Sequence, residues 1–455
     1  MPGVEDLNAT IFEATVAAMD QELDDLATVS NRGSDLTIFC HVEVHVNDGA
    51  GSSNIFNFTC SMFEDDLTDM LLIIAQYTAG ISAMIAASTY STITAVYADV
   101  TYETNASAGP GASGFQFTFD KTNIDTSLTN FPVLLKLSSS CGKNSFDATE
   151  IFDDLGANSL KIQVKTSAGV EMKVEVVYWD ATAELAFLRV KVPSITSSSS
   201  EYITLSWDSE MADNTTNVGV PGSVAGEAVW DANYIAVLHC EESPVSGPLV
   251  DSTSNDNDGT PNNMDGTNLV ASQVGKGYDY NGSDEFLQLA NEGDFDFAAS
   301  SFTIEVIFKT DTIAAGNYVL AGKRDSSGDS GYFLREDGTG ALTMWVHDGA
   351  YKNASTGNSA LNAGTTYYGA GTYNAGSNEI HVYLNDTEYG PTSSVGSPSG
   401  NNFLFAIARN ANGGAMEWFN GVIDEIRISD TRRTAAWLKA TYYTDFDNLF
   451  TVSNI

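Results

Sequence analysis

The sequence predicts a mainly β, multidomain protein: a small N-terminal α+β unit, a middle β-sandwich and a C-terminal jelly-roll sandwich. Three observations carry this reading. At 455 residues the chain is too long for one hydrophobic core. Short alternating or apolar runs, separated by Gly, Asn, Asp and Ser turn chemistry, recur from residue 115 to residue 428. Residues 106–114 are rich in Gly, Ala and Ser with one Pro, the composition of a linker.

In the first unit, residues 1–105, Leu7, Ile11, Ala14, Ala18 and Leu23 stand near helical spacing and predict an amphipathic helix. Its apolar face must bury against this unit or against a second copy, so the unit is expected to anchor or to homo-oligomerise. Residues 36–46 alternate as a strand, and 54–60 return it through a Gly-containing turn. Cys40 and Cys60 flank that turn symmetrically, which leaves both a cross-strand disulfide and two buried thiols open. Residues 70–98 carry no charge and are long enough to span a bilayer. Thr, Ser and Gln dilute them and no Lys or Arg flanks them, so a buried helix followed by a strand over 89–103 is the reading.

The middle domain, 115–229, shows strand runs at 115–119, 131–137, 160–165, 170–179, 185–192 and 202–207. The third, 230–445, adds runs at 302–309, 318–323, 331–334, 342–347, 366–373, 379–384, 403–407 and 421–428, enough for two packed antiparallel sheets. Residues 446–455 read as a C-terminal tail.

Composition excludes several functions. Twenty Lys plus Arg against sixty Asp plus Glu leave a net charge of −40, which repels nucleic acid and anionic membrane surfaces. Four cysteines without a Cys-x-x-Cys pair offer neither a disulfide scaffold nor a zinc site. The opening Met1-Pro-Gly-Val-Glu-Asp has no basic or apolar signal-peptide region, so export by the classical route is not expected. No Gly-x-Ser-x-Gly elbow, His-Glu-x-x-His pair or phosphate loop is present, and no Glu-x-Asp-x-x-Glu strand of paired glycosidase carboxylates. The chain is expected not to be an enzyme.

A set of spaced phrases goes further: the run from Asp251 to Gly259, Val274-Gly-Lys-Gly, Asn281-Gly-Ser-Asp284, Ser301-Phe-Thr-Ile-Glu305 and Asn420 to Ile428. Together they resemble the concanavalin A-like, laminin-G-type lectin/glucanase jelly roll over roughly 230–445. The chain departs from that pattern at Ile307, where Trp is usual, and at Tyr367-Tyr368, where a Trp-His pair is common. In and just past 115–229, the phrases Leu128 to Leu137, Phe187 to Ser194 and the closing Val229 to Tyr234 resemble a β domain of uncharacterised function, DUF2341-like, that precedes such modules in surface and viral proteins.

The resemblance implies two candidate sites. Related sandwiches hold calcium between the first-strand loop and the last strand; Asp251, Asp256, Asp258, Gly259 and Asp424 offer the hard oxygens it takes, although the same residues are ordinary turn formers. For glycan binding, aromatic rings stack on sugar faces and polar groups bond hydroxyls; Tyr332, His347, Asp348, Tyr351 and Asn353 are the candidates, with Trp345 read as core. The expectation is a virion surface protein of a phage or archaeal virus, a capsid spike, decoration or tail fibre. It would contact other virion proteins, associate with itself through 1–105, and bind a host surface glycan. A secreted or cell-surface adhesin is the alternative reading, and a glycoside hydrolase the least supported.

Overall fold

The computed structural model describes residues 36–47, 53–64, 92–104, 113–198, 201–324, 330–410 and 417–455, the first three stretches as backbone. The chain forms two compact units, Met1–Ala112 and Ser113–Ile455. Their division falls inside the stretch read as a linker.

In the first unit, β1 (Leu36–Asn47) pairs antiparallel with both β2 (Ser53–Glu64) and β3 (Thr92–Thr104). The predicted hairpin and third strand are present, and the register sets Cys40 opposite Cys60. Both predicted helices of this unit lie outside the described residues.

The second unit begins with a β-sandwich. One sheet, in the order β10-β7-β8-β5, combines β5 (Leu128–Leu137), β7 (Val174–Asp180), β8 (Leu185–Ile195) and β10 (Val218–Gly219). The other combines β4 (Ser113–Phe119), β6 (Ile162–Thr166) and β9 (Tyr202–Trp207) with β26 (Phe450–Asn454), in the order β26-β4-β9-β6. The expected tail is therefore a strand. Phe450 and Val452 alternate inward and are buried, with the Phe450 ring 4.7 Å from Phe119 and 5.7 Å from Phe117. Burying two such side chains contributes about 3 kcal/mol or more, and pairing along the full register Phe450↔Phe119 to Asn454↔Phe115 removes an open edge from β4.

Between β10 and β26 the chain builds a second sandwich. Its seven-stranded sheet runs β12-β15-β24-β17-β18-β19-β20, from β12 (Gly259–Asn262), β15 (Phe286–Leu289), β17 (Asn317–Arg324), β18 (Gly331–Asp337), β19 (Leu342–His347), β20 (Tyr351–Ser355) and β24 (Ala406–Ile407). Its eight-stranded sheet runs β13-β14-β25-β16-β21-β22-β23, with β11 also pairing β25. These strands are β11 (Tyr234–Leu238), β13 (Leu269–Ala271), β14 (Lys276–Asn281), β16 (Phe302–Thr310), β21 (Thr366–Asn374), β22 (Glu379–Leu384), β23 (Thr387–Ser393) and β25 (Asn420–Ser429). The predicted runs of this domain recur as strands of the two sheets. The period of two puts Phe302, Ile304, Val306 and Phe308 of β16 into the core between the sheets, beside Ile426 and Ile428 of β25 and opposite Leu334 and Met344 of the seven-stranded sheet.

The alternate residues of the eight-stranded sheet face the other way. Ile307, Tyr368, Ala370 and Tyr383 join one buried cluster with Phe131, Leu134 and Val190 of the middle sandwich and with Trp437, Leu438 and Ala440 of the helix Ala435–Asp445. Ile307 and Tyr368, two of the departures from the family pattern, thus form part of this joint. The helix starts at Thr434, whose side chain accepts from the Trp437 amide. It docks on β5 through Thr444, which accepts from Leu134 N and donates to Leu134 O.

A buried ionic network crosses the same joint. Arg189 of β8 reaches Asp445 at 2.6 Å and Glu425 at 2.5 Å, and Arg427 pairs with Asp445. His239 bridges Glu425, 2.5 Å from Nδ1, and Glu175 of β7, 3.2 Å from Nε2; Trp230 Nε1 also donates to Glu175. Burial alone would strip the proton from His239, but the Glu425 and Glu175 carboxylates overcome that and push its pKa up to about 10. Burial likewise opposes ionisation of Glu425, yet Arg189, His239 and Arg427 hold it well below the usual carboxylate range. The two sandwiches are joined by packed apolar side chains around paired charges.

Candidate functional site

With the eight-stranded sheet covered on both faces, the seven-stranded sheet is the outer layer of the second sandwich. Its residues alternate between the core and the outside. Leu320, Ala321, Tyr332, Leu334, Leu342, Met344, Val346 and Ala354 point inward. Arg324, Phe333, Arg335, Thr343, Trp345, His347, Tyr351 and Asn353 take the opposite positions.

Register brings these outward residues together. Trp345 pairs with Phe333 on one side and Asn353 on the other, and His347 pairs with Gly331 and Tyr351. The Phe333 and Trp345 rings are near-parallel, 9° apart at 6.1 Å; Tyr351 meets Trp345 edge-on at 5.8 Å and His347 at 4.7 Å. Gly322 lies opposite Phe333, where a Cβ would come within 2.4 Å of the Phe333 Cβ, so only glycine lets β17 approach this close.

Two arginines lie over the rings. The Arg335 guanidinium is 4.6 Å from the Trp345 centroid, and Arg324 is 5.0 Å from Phe333 and 5.3 Å from Tyr351. Glu417 holds both, at 3.0 Å from Arg324 and 3.6 Å from Arg335. Arg324 Nε donates to Tyr351 Oη, and Trp345 Nε1 donates to Thr343 Oγ1. Arg335 Nε and His347 Nδ1 are buried polar atoms with no protein partner. Farther along the face, Arg409 lies 3.5 Å over the Phe286 ring and 5.5 Å from Trp418.

Of the predicted glycan residues, the structure gathers His347, Tyr351 and Asn353 on this face. Asp348 stands at its end, in the β19–β20 turn, where its carboxylate accepts from Gly396 N and pairs with Lys352. Tyr332 is a correction: it is 2% exposed and faces the core, its ring 4.4 Å from Phe302 and its hydroxyl donating to Phe295 O. Leu334 shares its parity, and a strand cannot send both inward without taking Tyr332 along. Trp345, read as core, is instead half-buried on the outer face. Sequence reasoning missed Arg324, Phe333, Arg335 and Glu417.

Of the five residues read as calcium ligands, four are engaged by protein groups and one is exposed. Asp251 is 1% exposed and its two oxygens accept from Val237 N, Thr253 N, Thr253 Oγ1 and Asn257 N. It organises the loop as an Asx-type turn, and burial raises its pKa to about 6. Asp258 accepts from Asp251 N, and the Gly259 carbonyl from Leu249 N. Asp256 is exposed with φ at 53°. Asp424 is buried and accepts from Val274 N, while Arg427 turns to Asp445 and Glu425 instead. Among the described residues no three His, Cys, Asp or Glu side chains are placed to hold a metal ion.

Comparison with known proteins agrees with the architecture. Residues 281–439 match the laminin-G-type family described as the concanavalin A-like lectin/glucanases superfamily. The C-terminal domain is therefore concanavalin A-like, and its fold is lectin-like. No curated protein matches the chain. Among solved structures, one similar to it is domain 4 of AbnA, a GH43 extracellular arabinanase from Geobacillus stearothermophilus, in complex with arabinotriose. Identity is 19% over 47% of this chain and 100% of that one, with a TM-score of 0.36. The receptor-binding domain of botulinum neurotoxin C/D mosaic serotype is 10% identical over 48% of this chain and 55% of its own, at 0.37. The Ruminococcus gnavus IT-sialidase CBM40 bound to α2,3-sialyllactose is 14% identical over 36% and 94%, at 0.32. Among the described residues no helix is long and apolar enough to cross a membrane.

Proposed function

We propose that this chain is a surface-attachment protein of a phage or archaeal virion, and that its lectin-like domain binds a host glycan without catalysing its breakdown. The observation that supports glycan binding is the outer face of the seven-stranded sheet. Trp345 and Tyr351 are half-buried rings beside His347 and Asn353, on rigid paired strands. Rings of this kind stack on sugar faces while neighbouring polar groups bond hydroxyls. The joint through Arg189, Glu425 and Asp445 supports the role of the middle sandwich as a spacer, because it holds the recognition domain in one orientation. Residues 1–105 would carry self-association and contacts with other particle proteins.

The test is a glycan array probed with the full chain and with the variants Trp345→Ala and Tyr351→Ala. Binding to a defined set of glycans, weakened at least tenfold by either variant at unchanged melting temperature, is expected. Wild-type protein that binds nothing on a broad array would remove the recognition reading. Release of reducing ends from any bound polysaccharide would overturn the assignment as a non-enzyme. Imaging of native particles tests the setting: a homo-oligomer with the lectin domain outward is expected, and particles that lack the chain would refute it.

A further inference from the structure

The chain holds eight arginines against its net charge of −40. Three of them, Arg324, Arg335 and Arg409, lie over aromatic rings on the outer face of the seven-stranded sheet. Arginine is the side chain suited to planar, bidentate recognition of carboxylates. Among the described residues, Arg324 and Arg335 converge on a single carboxylate, Glu417, as their ion-pair partner. Asp337 directs Oδ1 into its own turn, where it accepts from Thr339 N, Thr339 Oγ1 and Ala341 N. Arg335 Nε, buried and without a partner, adds an unused donor beside the Trp345 ring.

We infer that the ligand of this face is an acidic sugar, whose ring lies against Trp345 and Tyr351 and whose carboxylate is received by Arg324 and Arg335. The inference rests on the glycan-binding reading of the face and names the class of glycan. Glu417 acts as an internal stand-in for the ligand carboxylate, satisfying the arginines when no ligand is bound. A neutral sugar would gain only the stacking contribution. A carboxylated sugar adds charge-assisted hydrogen bonds at a place where the rest of the protein surface repels anions.

Calorimetric titration of the full chain with a galacturonate trisaccharide, its methyl ester and a sulfated trisaccharide tests this, beside a panel of neutral glycans. The acid is expected to bind at least tenfold more tightly than the ester, which lacks the negative charge and carries a methyl group in its place. Arg335→Gln should weaken the acid at least tenfold and the ester by much less, so that the preference for the acid collapses; should that variant melt early, Arg324→Gln reads the same loss. Glu417→Gln removes the internal competitor and should tighten acid binding several-fold, whereas a residue with a purely structural role would weaken it. Equal affinity for acid and ester, a preference for the sulfated sugar, or weaker acid binding in Glu417→Gln at unchanged melting temperature overturns the inference. If only neutral glycans bind, the acidic class is wrong while glycan recognition stands; if no glycan binds, the wider reading fails as well.

Discussion

Arg189 of the middle sandwich and Glu425 of the lectin domain meet at 2.5 Å with both side chains fully buried. A pair in that position has surrendered its hydration, so its partners are indispensable to each other even where the pair adds little net stability. Arg189→Ala leaves Glu425 and Asp445 facing an empty site. It should destabilise the protein by about 3–5 kcal/mol, read by denaturant unfolding of the full chain. The double variant Arg189→Met with Glu425→Gln should lose less than Arg189→Ala alone, because no charge is then left without its partner.

Stability should fall as pH rises from about 5 to 10. Burial raises Glu241 to about 8, Glu336 to about 7 and Asp251 to about 6, so in the folded state these groups hold protons that the unfolded chain has already released. Their contribution is complete below the ordinary carboxylate range and is lost through the raised values. His239, raised to about 10 against an ordinary value of 6.5, extends the decline to alkaline pH. Glu425 acts oppositely, its stabilisation disappearing only in strong acid. Thermal melts across pH 4 to 10 should therefore peak on the acid side. Substituting Glu241→Gln should flatten the fall between pH 5 and 8.

Chelation should leave the lectin domain untouched. Asp251 has already spent its oxygens on four protein donors, so neither EDTA nor millimolar calcium should shift the melting temperature. Asp251→Ala, by contrast, should cost about 2–3 kcal/mol through the buried amides it leaves unpaired.

Removing residues 446–455 should unfold more than a tail. The loss of Phe450 and Val452 exposes β4, and the middle sandwich should lose about 3 kcal/mol or more. Hydrogen exchange should rise first in β4 and β9, while β16 to β22 of the lectin domain keep their protection.

Much of the fold was legible because strands advertise themselves with a period of two. Phe302 to Glu305 and Leu342 to Met344 alternate enough to declare a strand, whereas Ile307 and Trp345, large apolar residues at outward positions, hide which face is which. Tyr332 and Phe333 are adjacent aromatics, and residue type alone does not say which turns inward; Leu334 and the pairing with β19 decide it. The site was half legible. His347, Tyr351 and Asn353 cluster locally in sequence, whereas Arg324, Arg335 and Glu417 come from distant segments that only pairing brings together. The scarcity of arginine in so acidic a chain was the available signal. The Asp-rich stretch from Asp251 was ambiguous in principle, because the oxygens that suit a cation also suit backbone amides. Phe450 and Val452 showed the alternation of a strand, but their partner lies more than 300 positions earlier.

The pairing of β26 with β4 makes the lectin domain an insert within its neighbour. During synthesis the middle sandwich cannot close its second sheet until residue 454 has left the ribosome, by which time the whole lectin domain is available to fold. The inserted domain is thus completed before the sandwich that flanks it, and a chain broken off anywhere within it leaves β4 as an open edge that marks the product as unfinished.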